Sequence, residues 1–116
     1  MKMRTLFIAT LVGIVLQVGL VLAGHVVRAL QDPGFAIGGM AFSAVAGWVY
    51  ARLARGNWQD TLIGGAIAGG VCAAVGIYVS AALGDVPFSL LIVGTAGSVA
   101  TGIAGASIAK LLRGSR

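Results

Sequence analysis

The chain has 116 residues, of which 59% are hydrophobic and only 9% charged, with a formal net charge of +5. A water-soluble domain carries about 25% charged residues to solvate its exterior, so this composition excludes an ordinary soluble fold and leaves room for a single domain. Mean hydropathy is +1.02, and lipid is the expected solvent for most of the surface. The basic balance does not point to nucleic acid, because the cations sit at the ends of apolar runs and not in one stripe or arm.

A helix needs about 20 apolar residues to cross the hydrocarbon core. The first run is predicted as a helix over about residues 5–30, preceded by Lys2 and Arg4. Its basic start and Val21-Leu22-Ala23 ending resemble a cleavable signal peptide. The apolar stretch exceeds the roughly 7–15 residues of that role, so an uncleaved first helix is expected. Gln17 is the one strongly polar side chain deep in this run. An unpaired amide is costly in hydrocarbon, which makes Gln17 a candidate polar contact, either bridging helices or lining a pathway. His25 and Arg28 lie near the far end, where an interfacial role is expected.

The second helix is predicted over about residues 35–54, after the turn Gln31-Asp32-Pro33-Gly34, and carries Gly39, Ser43 and Gly47 at four-residue steps. The third, over about 61–83, carries Gly65 and Gly69, and also Cys72, whose solitude rules out a disulfide within the chain. The fourth, over about 88–112, follows Gly84-Asp85-Val86-Pro87 and carries Gly94, Ser98 and Gly102. Four-residue spacing keeps small residues on one helical face and lets backbones approach closely. Packing partners for these ridges are expected among other membrane subunits or a second copy of the chain. Helix 1, rich in Leu, Val and Ile, is the expected lipid-facing member, and helix 4 is expected to touch more than one neighbour.

The three acids, Asp32, Asp60 and Asp85, each precede a predicted helix, the pattern of N-caps. On that reading no carboxylate is left in the bilayer for a proton relay. The spacing of His25 to Asp32 or Asp85 suggests no triad, one histidine builds no metal site, and neither an enzyme nor a cofactor is expected.

Lys2, Arg4, Arg52, Arg55, Lys110, Arg113 and Arg116 fall on one side of a four-crossing chain and only Arg28 on the other. This asymmetry predicts both termini in the cytoplasm of a multi-pass protein of the cell inner (plasma) membrane. Trp48, Tyr50 and Trp58 flank the basic middle loop as an interfacial aromatic belt is expected to. Residues 51–56 and 109–114 are similar, and so are 32–35 and 85–88. A duplication would give two helical hairpins in the same orientation, a parallel repeat.

The expected fold is therefore an all-α, integral membrane four-helix bundle, one transmembrane domain over residues 1–116. The expected role is a non-enzymatic packing or assembly subunit, or a homo-oligomer. The alternative is a channel or transporter for a neutral or apolar solute, or a holin-like pore-former. In length and helix count the chain resembles the small multidrug resistance transporters. Those carry a membrane-embedded glutamate in helix 1, where this chain has Gln17 and no acid.

Overall fold

The computed structural model describes residues 2–30 and 34–112. Every regular element among them is helical: α1 (Met3–Val26), a short 3-10 turn (Arg28–Leu30), α2 (Gly34–Ala54), α3 (Trp58–Ala82) and α4 (Leu90–Leu112). All four α-helices are long and apolar enough to cross a membrane. Asp32, with its expected capping role, and the C-terminal Arg113 and Arg116 lie outside the described residues.

Helix boundaries differ from the sequence reading for local reasons. Successive β-branched residues disfavour continuation of α1, and Val27 turns into extended geometry at φ −108°, ψ 90°. The expected cap of α3, Asp60, is corrected: Asn57 caps the helix, its side chain accepting the Asp60 N–H at 2.9 Å. Asp60 thereby occupies the first turn, where a negative charge suits the helix dipole, and its Oδ1 accepts the Tyr50 hydroxyl at 2.8 Å. At the start of α4, i→i+3 bonds from Leu90 to Pro87 (3.1 Å) and from Leu91 to Phe88 (2.9 Å) form a tight turn first.

The end of α3 shows how sequence sets geometry. Gly84 adopts φ +82°, which a residue without Cβ tolerates. The Gly84 N–H then bonds Ala81 O and the Asp85 N–H bonds Ser80 O, both at 3.0 Å. This pair of bonds is the Schellman arrangement. It aims the chain back over the bundle and presents Asp85 to α1, so Asp85 does not cap α4.

Short connections make consecutive helices antiparallel. The pairs α1–α2, α1–α3, α2–α3, α2–α4 and α3–α4 are in contact, and α1 and α4 are not. The hairpin α1–α2 thus lies beside the hairpin α3–α4, with α2 and α3 meeting across the short diagonal. One end of the bundle gathers the start of α1, the α2–α3 loop and the end of α4. There Lys110 Nζ donates to Gly56 O at 2.8 Å and lies 5.4 Å from the Trp58 ring centroid. This is called the basic end below, and the opposite one the turn end.

Helix α1 exposes Phe7, Leu11, Val15 and Leu22 along its length, and α4 touches both α2 and α3. Its buried face, Ser98, Gly102, Gly105, Ala106 and Ala109, is complete against α2 and α3, leaving Ala96, Ala100 and Ala104 exposed. One expectation about exposure is corrected: Tyr50 is not part of an interfacial belt. It is fully buried, and its ring lies against Gly64, where any Cβ would collide with it.

The tight core sits toward the basic end. Leu6, Ala9, Ala46, Tyr50, Ala54, Ala68 and Cys72 form one cluster, and Ala51, Ala106 and Ala109 another.

Candidate functional site: an intramembrane cavity

The glycine ridges explain why the bundle is closed at one end. Gly102 on α4 is the point where three backbones converge. A Cβ there would strike the Gly65 carbonyl and lie 2.9 Å from Gly69 Cα. In turn, a Cβ on Gly47 would strike Gly102 O, and one on Gly69 would lie 2.7 Å from Ser98 O. Gly105 meets the Ala44 carbonyl in the same way. On the other side of the bundle, Gly13 of α1 faces Cys72 Sγ and Ala46 Cβ, at 2.7 and 2.9 Å from an added Cβ. Gly47, Gly65, Gly69, Ser98 and Gly102 are therefore used within a single chain. Gly13 was not singled out from sequence. Its signal was the step Ala9, Gly13, Gln17 on a helix otherwise rich in large side chains.

Toward the turn end the helices part. Gly39 lies on the same face of α2 as Gly47, yet among the described residues only Gln17 Oε1 comes near its Cβ position, at 3.5 Å. The divergence leaves a cavity of about 270 Å³ between all four helices. Gln17, Ala73 and Ser98 line its deep part, Leu20, Met40, Ile77, Val93 and Gly94 its walls, and Phe35, Ser80, Val86 and Leu90 its part nearest the turn end. Among the described residues the lining holds no charged side chain. Gly94 faces the Ile77 Cδ1 methyl, 2.5 Å from an added Cβ.

Gln17 both bridges helices and lines this space. It is 5% exposed, and its Nε2 donates to Gly39 O at 2.9 Å and to Ser43 Oγ at 3.1 Å. Both amide protons are thereby committed, tying α1 to α2 at the cavity floor. A longer contact of 3.8 Å reaches Cys72 Sγ, and Cys72 itself donates to Gly69 O at 3.3 Å.

The rim is anchored on the last turn of α1. Phe35 lies against Gly24, where a Cβ would collide with its ring. Next to Val86, the buried Asp85 carboxylate meets His25 Nδ1 through Oδ2 at 2.9 Å and Arg28 through Oδ1 at 3.6 Å. The sequence spacing did not suggest this pairing, because only the turn after α3 brings the two segments together. Ser80 is 2% exposed, and its Oγ has no hydrogen-bond partner among the described residues.

Fold and cavity together define a class: an all-α, multi-pass membrane bundle closed at one end and hollow at the other. No protein-family model matches the chain, and no curated protein or solved structure shows significant similarity to it.

Proposed function

We propose that this chain is a non-enzymatic protein of the cell inner (plasma) membrane, both termini cytoplasmic, that accommodates a small neutral or apolar solute within its bundle. The observation that carries the reading is the cavity of about 270 Å³ between the diverging helices, whose described lining carries no charge. Orientation follows from charge: Lys2, Arg4, Arg52, Arg55 and Lys110 cluster at the basic end, and the positive-inside rule places that end in the cytoplasm. The cavity then faces the opposite side of the membrane. The close backbone packing around Gly102 favours a binding or carrier role over an open pore. The test is uptake of a neutral aromatic solute into liposomes, comparing wild type with Gly94→Leu, whose side chain fills the cavity. Loss of protein-dependent uptake or binding in the variant supports the reading, and unchanged values reject it.

A second reading, an assembly subunit or homo-oligomer, draws on a different surface from the ridges noted in the sequence. Ala96, Ala100 and Ala104 form an exposed small-residue line on the face of α4 turned away from the bundle. Such a face permits close helix approach in lipid. Disulfide crosslinking of an Ala100→Cys, Cys72→Ala variant between chains supports assembly through this line. Strictly monomeric protein in mild detergent counts against it.

A further inference from the structure

An orphaned hydroxyl in the cavity lining specifies more than a hydrophobic guest. Ser80 stands about 10 Å nearer the turn end than Ala73 on the same helix, at ~1.5 Å rise per residue. Its Oγ is buried without a partner, and its backbone carbonyl is already taken by the Asp85 N–H at 3.0 Å. A buried hydroxyl left unpaired costs about 1–3 kcal/mol, so such groups are normally satisfied. Ser80 lines the cavity, and a χ1 change between staggered positions redirects Oγ without moving the backbone.

Two further observations narrow the chemistry. Gln17, at the floor, has committed both amide protons to Gly39 and Ser43. Among the described residues the lining carries no charge, and the Asp85 carboxylate beside Val86 meets His25 through Oδ2 at 2.9 Å, with Arg28 3.6 Å from Oδ1. An anionic head group would meet that carboxylate, and an ion of either sign would lose its hydration without compensation. In size, the space exceeds the roughly 150 Å³ cavity that holds benzene.

Resting on the cavity reading above, we propose that the occupant is a neutral amphiphile. It has an apolar body of on the order of ten heavy atoms and one hydrogen-bonding oxygen received by Ser80 at the rim. A free solute and a bilayer lipid, with its ester oxygen at Ser80, share this chemistry.

The test uses the full chain in nanodiscs and three matched probes: naphthalene, 2-naphthol and 2-naphthoate. Binding is read from the NMR shifts of the Gly94 amide and the Gln17 side-chain amide, with empty nanodiscs subtracting partition into lipid. The expected result is saturable binding of 2-naphthol about two- to tenfold tighter than naphthalene, with 2-naphthoate weakest. Ser80→Ala removes the advantage of 2-naphthol and keeps naphthalene binding. Alanine suits a helix better than serine, and Ser80→Cys, a weaker donor of similar size, serves as the second variant. Equal affinities in wild type, or an advantage retained in Ser80→Ala, overturn the assignment of Ser80 and leave the cavity reading standing. No saturable shift with any probe overturns both. Titrating diacyl lipid into protein in lipid-free detergent separates the sources: displacement of 2-naphthol assigns a lipid, and its persistence assigns a free solute.

Discussion

His25 Nδ1 lies 2.9 Å from Asp85 Oδ2, joining the last turn of α1 to the connection between α3 and α4. The carboxylate is fully buried, whereas the His25 side chain is 41% exposed and that of Arg28 70%. Removing His25 leaves the acid with one distant, solvated partner. His25→Ala is expected to lower stability by about 1 kcal/mol once solvent screening is allowed for, and Arg28→Ala by less. Thermal unfolding in detergent checks the order, and hydrogen exchange at Gly84 and Asp85 locates the loosening. Equal effects of the two substitutions would sink this account of the rim.

Gly102 and Gly19 make opposite cases. A methyl on Gly102 meets the Gly65 carbonyl, a backbone atom that cannot swing aside, whereas Gly19 has nothing within 4 Å. Gly102→Ala is expected to destabilise the bundle by about 1–3 kcal/mol through overpacking. Gly19→Ala is expected to stabilise it by about 0.5–1 kcal/mol by favouring the helix. Unfolding in graded denaturing detergent reads both.

Gln17 and Ser43 form a hydrogen-bonded pair between α1 and α2 at 3.1 Å. A double-mutant cycle of Gln17→Leu and Ser43→Ala should give a coupling energy of about 0.6 kcal/mol, the typical size for such bonds in membrane bundles. Strict additivity of the two substitutions means the bond contributes nothing.

Cys72 is fully buried against Gly13 of α1. A membrane-permeant maleimide should label it only as fast as the bundle opens, so its rate should rise in Gly102→Ala and stay slow in Gly19→Ala. Rapid labelling of the native wild type is incompatible with the packing described.

The candidate site was only partly legible beforehand. Gln17 stood out because an amide is rare in an apolar run, and the structure places it at the cavity floor. Ser80 and the His25–Asp85 pair did not stand out. A lone serine near a helix end is unremarkable, and 60 positions separate the two ionisable residues. The acids were misassigned for a related reason: Asp60 and Asp85 have the right neighbours for caps, but a better-placed Asn57 and a glycine-ended helix gave each carboxylate another partner.

Composition and local pattern by themselves determined that the chain forms four long apolar helices, because hydropathy, spacing and helix-breaking residues act within a few turns of one another. They also supplied the glycine ridges and the charge asymmetry. Only the tertiary structure decided what those ridges touch. Four-residue spacing marks a close-packing face without naming its partner, and here the partner of Gly47, Gly65 and Gly69 is Gly102 of the same chain. It alone decided that α1 and α4 stay apart. The hollow near the turn end is a property of how helices diverge, which no single helix carries in its own sequence.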